Sequence, residues 1–260
     1  MTDEEKIRYA VWLSRVGLLR GGAIRQSCVA SSKVTTEVLR RLGFEAYPAV
    51  CSVIAMTLPY MKRIEAGLRP ETDDVQKWWD EDRSYSVGVA YDPTPNPGAW
   101  HAHLGVIAGN WFCDPSADQL ARPERGMSIE PIHIDMSGVE GLRVQEFKRG
   151  RTQMIVGWRS DDGSEEFATV YSLFPADRTF RNLPDFVHFR ERYEDMTKSI
   201  VRTIRAMDLE GLAGDTLPPL PEIPNAPDDP NMAMRIRSPE ERARTHMTNN
   251  QLRGDRLLRR

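Results

Sequence analysis

Apolar residues recur at helical spacing near the start of the chain and alternate with polar ones through its middle. In residues 3–19, Ile7, Val11, Trp12, Val16 and Leu18 make a partly apolar stripe that predicts a helix. Asp3, Glu4 and Glu5 at its start suit the positive end of the helix dipole, and Gly21-Gly22 ends it. A second helical face, Val29, Val34, Val38, Leu39 and Leu42, runs from Cys28 to Leu42, with Gly43 as the stop. Residues 44–54 read as a strand. Residues 58–80 read as a polar, helical excursion broken at Gly67 and Pro70 and closed by Trp78-Trp79. Residues 84–91 alternate as a strand, and 92–98 form a turn-rich loop stiffened by three prolines. Further strands are expected at 129–134, 153–158 and 167–173, the last two joined through Asp161-Asp162-Gly163. Residues 183–207 carry Phe186, Phe189, Tyr193, Met196, Ile200, Ile204 and Met207 along one side of a long helix.

These elements predict an α+β fold in which a Cys-bearing helix packs on an antiparallel β-sheet and the C-terminal helix adds a further layer. The expected domain spans residues 1–210. From Gly211 the composition changes: 217–230 is proline-rich and expected to be extended or disordered, and 235–260 is rich in arginine without a core-forming stripe. A solvated tail is the plain expectation for 211–260. The alternative is an arm that captures a protein partner, with nucleic acid as a lesser candidate for its positive charge.

The whole chain, 260 residues with a formal charge of −3, is close to balanced, so nothing at that level calls for nucleic acid or an anionic membrane. No apolar run approaches the roughly 20 residues that span a bilayer. The acidic start lacks the basic and apolar regions of a signal peptide. Three cysteines argue against a disulfide framework and for a reducing, cytoplasmic setting.

Candidate chemistry begins in Trp100-His-Ala-His-Leu-Gly-Val-Ile-Ala-Gly-Asn-Trp-Phe-Cys-Asp-Pro-Ser116, which reads as a β-hairpin turning at Gly109-Asn110. A two-residue turn sets Ala108 opposite Trp111, Val106 opposite Cys113 and Gly105 opposite Asp114. Alternation then puts His101, His103, Gly105 and Asp114 on one face. His103 and Asp114 become diagonal neighbours about 7–8 Å apart at the backbone, within reach of an imidazole–carboxylate contact. Gly105 leaves room for it. Cys28, at the start of its helix, sits where unpaired N–H groups and the helix dipole favour a thiolate. A lone cysteine is ordinarily a small buried hydrophobe, and Cys51 and Cys113, inside strands, read as packing residues. His133 and His188 read as structural or surface residues.

The ordered set resembles the transglutaminase-like branch of the papain-like cysteine enzymes. It consists of Cys28 opening a helix that ends Arg-Arg-Leu-Gly-Phe, then a His-bearing strand, then Asn-Trp-Phe-Cys-Asp114-Pro-Ser. Arylamine N-acetyltransferases share this triad order. The resemblance covers about residues 20–120 and implies Cys28 as nucleophile, His103 as base and Asp114 as the group that orients it. Relatives use a Trp or Gln upstream of the cysteine to assist the oxyanion, and Gln26 is the candidate for that place. Either His101 or His103 matches the family's histidine, with His103 nearer Asp114 in the register.

The expected function is therefore a cysteine hydrolase acting on a peptide or amide substrate through a thioester, with no cofactor or metal. Acyl transfer by the same triad is the alternative. Two readings of other classes remain: a metal site at His101-x-His103 with Asp114 as third ligand, and a non-enzymatic binding or assembly protein on the same scaffold.

Overall fold

A single antiparallel sheet carries the molecule, and its longest strand, β1 (Ala46–Thr57), organises the rest. The computed structural model describes residues 1–23, 27–68, 74–92, 102–136, 143–147, 151–159, 166–174, 176–211 and 217–221. The other strands are β2 (Ser86–Val89), β3 (His103–Ala108), β4 (Trp111–Asp114), β5 (Ile132–Asp135), β6 (Arg143–Phe147), β7 (Arg151–Arg159) and β8 (Glu166–Leu173). Their order is β5-β4-β3-β1-β8-β7-β6, with β2 also paired to β1. The first half of β1 pairs with β3, from Ala46 opposite Ala108 to Cys51 opposite His103. Its second half lies between β2 and β8, whose pairing runs from Cys51–Leu173 to Thr57–Phe167. Pro48, which has no N–H to donate, falls in the half that β8 does not reach.

Helices α1 (Asp3–Arg20), α2 (Cys28–Arg41) and α6 (Phe189–Glu210) cover one face of the curled sheet. Thr2 caps α1 in a reciprocal box with Glu5, satisfying first-turn donors. Ile7, Val11, Val34, Val38, Leu39 and Ile204, all essentially inaccessible, meet Val106, Ala108 and Cys113 from the sheet. Each such side chain contributes about 1.5–3 kcal/mol by leaving water. A half-exposed ion pair such as Arg41–Glu194 is worth only about 0.2–1 kcal/mol. Apolar packing therefore sets where α6 lies. On the opposite face Ala49, Cys51, Val53, Phe112, Tyr171 and Leu120 form a second core.

The β3–β4 hairpin keeps the expected register, Val106 opposite Cys113 and Ala108 opposite Trp111, with Gly109 at φ 57° in the turn. The space left at Gly105 is used differently from expectation. A Cβ there would meet the Phe112 ring at 2.6 Å, so the glycine admits that ring rather than the imidazole. Phe112 in turn packs edge-on against Tyr171, with centroids 4.8 Å apart.

Two other elements depart from the pattern. The predicted helix 183–207 is broken at His188 into α5 (Pro184–Val187) and α6. Phe186 packs on Phe180, whereas Phe189 and Ile200 enter the main helical core. One straight helix does not serve both clusters. Strand β6 carries three polar residues in five (Arg143, Gln145 and Glu146), so no apolar alternation announces it.

The 58–80 excursion forms α3 (Leu58–Glu65) and α4 (Asp74–Asp82). Trp78 packs beside Tyr60 and under Arg63, and Trp79 lies between Arg83 and Arg125. Both tryptophans hold the excursion to its neighbours. At the far end, Leu217 packs on the helical core and the Trp12 indole N–H donates to the Pro218 carbonyl. The expected 92–98 loop, apart from Asp92, and the 161–163 turn lie outside the described residues, as does the arginine-rich end. Among the described residues no helix is long and apolar enough to cross a membrane.

Candidate active site

Cys28 is the first residue of α2, and the local chemistry leaves that helix start unusual. The Ser27 side chain does not cap it. Its hydroxyl instead accepts from Arg15 Nη1 at 2.8 Å. Helix α2 packs on β3 and carries four buried small polar residues, Ser31, Ser32, Thr35 and Thr36. The Ser32 hydroxyl donates to the Leu104 carbonyl, fixing the helix against the strand that carries His103. Those buried polar residues fall outside the apolar spacing of the sequence.

His103, at the start of β3, and Asp114, at the end of β4, are both fully buried. The ring Nε2–H donates to Asp114 Oδ2 at 2.8 Å. The same oxygen accepts the Tyr171 hydroxyl at 2.9 Å, while Oδ1 accepts the Ser116 N–H at 3.0 Å and its hydroxyl at 3.2 Å. Four donors on one carboxylate hold it ionised and fixed. Cys28, at the start of α2, acts on the same imidazole and helps to raise it. Nε2 is committed to Asp114, which leaves Nδ1 as the nitrogen able to exchange a proton.

The Gln119 amide also reaches Nδ1, at 2.7 Å, from the 3₁₀ turn Ala117–Leu120. Its neighbour Asp118 pairs bidentately with Arg15, Oδ1 to Nε at 2.8 Å and Oδ2 to Nη2 at 2.7 Å. Arg15 is wholly inaccessible.

Burial disfavours the charged form of His103, yet the Asp114 carboxylate and its hydrogen bond outweigh this, aided by Cys28, and hold the ring up at about 10. Burial also works against the Asp114 carboxylate, but His103, the Ser116 N–H and the Tyr171 hydroxyl keep it below the usual range. Cys51, opposite His103 on β1, is pushed well up by burial and then by Asp114 and Cys28, so it lies beside the site as a protonated thiol. Cys113 packs in the helical core on the other face, its thiol pushed up by burial.

The raised histidine and lowered aspartate set a stability window. Between about pH 6.5, the ordinary histidine value, and about 10, the folded chain holds a proton that the unfolded chain releases, so stability falls as pH rises. Asp114 acts in the opposite sense, and its contribution is lost as pH falls through its depressed value. In urea titrations, wild type is expected to lose more stability than His103→Gln between pH 6.5 and 10. Parallel curves for the two proteins refute a charged His103.

Comparison of the chain with protein-family models, with curated proteins and with solved structures gave no match. The site therefore rests on its own geometry.

Of the residues singled out from sequence, the fold brings Cys28, His103 and Asp114 together. Gln26 and His101 lie outside the described residues. His133 stacks on Trp111, and His188 sits at the surface beside Glu191. Among the described residues no group of three or more His, Cys, Asp or Glu is arranged to hold a metal. Three participants escaped the sequence reading: Arg15, Gln119 and Tyr171. For Arg15 a signal exists, because Ile7, Val11 and Arg15 follow each other at i, i+4, placing a guanidinium on the apolar face. Gln119 and Asp118 are polar residues set among Ala117, Leu120 and Ala121 directly after the Asp-Pro-Ser motif, a weaker hint of a buried polar turn.

Proposed function

We propose that the protein is a cysteine-dependent acyl-transfer enzyme on a papain-like, transglutaminase-like core, with hydrolysis of a peptide or amide bond as its reaction. One observation carries this reading: a thiol opening a helix reaches an imidazole whose other nitrogen is tied to a buried, four-fold hydrogen-bonded carboxylate.

The chemistry runs through Nδ1. The Cys28 sulfur attacks the acyl carbon while His103 holds the proton at Nδ1. The first-turn N–H of Cys28 stabilises the oxyanion, a donor worth about 3 kcal/mol. The C–N bond breaks as Nδ1–H protonates the leaving amine, leaving a thioester. Water then gives its proton to Nδ1 and attacks, the C–S bond breaks, and the acid leaves with Cys28 and His103 restored. Asp114 keeps the Nε2–H tautomer throughout and stabilises the imidazolium. An amine in place of water gives acyl transfer by the same steps.

Alkylation tests the reading without a known substrate. At pH 6, where an ordinary thiol of pKa about 8.5 is almost wholly protonated, iodoacetamide is expected to label Cys28 at least about tenfold faster in wild type than in His103→Gln. Equal rates in the two proteins overturn the activated thiol and leave a binding or assembly role as the better account.

A further inference from the structure

We propose that Gln119 is a positioning residue that shares Nδ1 of His103 with Cys28, turning its amide between donor and acceptor as the ring loses and gains its proton. The inference deepens the acyl-transfer reading and rests on it for its kinetic half.

An imidazole offers one in-plane position at each nitrogen. Asp114 occupies that of Nε2 at 2.8 Å, and the Gln119 amide stands 2.7 Å from Nδ1, the only nitrogen left to Cys28. A carboxamide carries an N–H donor on one arm and a carbonyl acceptor on the other. A half-turn about its terminal bond therefore lets it serve either protonation state: N–H to the lone pair of the neutral ring, carbonyl oxygen to the N–H of the imidazolium. A carboxylate at this place serves only the imidazolium, and an apolar side chain serves neither.

The surroundings fix the backbone that carries the amide. Gln119 is 3% exposed. Its backbone carbonyl accepts from Arg122 Nη1 at 3.2 Å, and its backbone N–H donates to the Ser116 carbonyl at 3.1 Å. Asp118, one residue before it, is clamped by Arg15, and the same guanidinium holds Ser27, one residue before Cys28. One buried cation thus holds the residue before each of the two groups that share Nδ1. The charged and titratable groups facing the ring are Asp114 from β4, Cys28 from α2 and Cys51 from β1, with Tyr171 of β8 acting through Asp114 and the Arg15–Asp118 pair behind the turn.

The two half-reactions need opposite ring states, and this makes the proposal separable from mere packing. Acylation uses the imidazolium to protonate the leaving group, and hydrolysis of the thioester uses the neutral ring to take a proton from water. Gln119→Glu is expected to slow hydrolysis of the thioester about tenfold or more, and to slow it more than its formation, because the carboxylate holds Nδ1 protonated. Gln119→Met is expected to slow both halves.

With 4-nitrophenyl acetate as probe, the nitrophenolate burst reports acylation of Cys28 and the steady state reports its hydrolysis. NMR of the imidazole, assigned through His103→Gln, gives the ring's titration without turnover. It is expected to move up by at least one pH unit in Gln119→Glu. In wild type, slowly exchanging Gln119 amide protons should show a cross-peak to the ring. A Glu variant with wild-type burst and steady-state rates, or titrations identical in both variants and wild type, overturns the proposal. If Cys28→Ala matches wild type with the ester, the acyl-transfer reading falls, while the titrations still decide whether Gln119 governs His103.

Discussion

Asp114→Asn is expected to lower the rate of thioester formation at Cys28 by about four orders of magnitude, the loss found when a triad carboxylate becomes an amide. The reason is one of tautomers. Asp114 accepts from Nε2–H, Tyr171 and Ser116, and offers no donor of its own. An asparagine presents an NH₂ arm that meets a lone pair better than an N–H. The ring then favours the form with its proton on Nδ1, facing Cys28, where it blocks the transfer the thiol needs. The variant also removes the charge that offsets burial of the imidazolium. The His103 titration should therefore fall from about 10 to below the ordinary 6.5. Both effects are measurable, the first by single-turnover acylation with 4-nitrophenyl acetate and the second by imidazole NMR. A loss below tenfold, with an unmoved titration, refutes the orienting role of Asp114. A loss of stability with no loss of Cys28 reactivity favours an inert scaffold.

The parts of the site that local pattern governs were legible in the sequence. A Gly-Asn turn between two alternating runs sets the register of β3 and β4, and the register alone places His103 and Asp114 on a common face. The helix beginning at Cys28 follows from an apolar spacing that closes at Gly43. What stayed hidden depends on distant segments. Tyr171 meets Asp114 across 57 residues and Arg15 meets Asp118 across 103. Neither strand alternation nor helical spacing encodes which hydroxyl or guanidinium will arrive there. The buried Ser and Thr residues of α2 were hidden for another reason. Apolar counting scores those residues as solvent-facing, whereas a close helix–strand approach selects small side chains, and Ser32 can find its partner on the strand backbone. The role of Gly105 was misread on similar grounds, since its neighbour is a ring from the adjacent strand rather than the diagonal histidine.

Arg15→Met is expected to destabilise the fold by about 3–5 kcal/mol, the range for breaking a buried ion pair by removing one partner. The carboxylate of Asp118 is 4% exposed as a residue, and without the guanidinium it is left dry among Ala117, Leu120 and Ala121. Ser27 and Ser31 lose a partner in the same step. Stability alone does not separate a strut from a filler, so the double variant Arg15→Met, Asp118→Leu decides. Replacing both charges by apolar groups of similar volume commonly restores most of what one substitution loses. Urea unfolding of the double variant is thus expected to return close to wild type. Its Cys28 alkylation at pH 6 and its burst with 4-nitrophenyl acetate should remain slow by about tenfold or more, because displacing a reacting group by a fraction of an ångström is costly even in a stable fold. The guanidinium holds the residue before Cys28 and, through Asp118, the residue that meets Nδ1, and no apolar pair reproduces that fork. A double variant with wild-type reactivity as well as wild-type stability shows instead that packing by itself aligns α2 with the 3₁₀ turn.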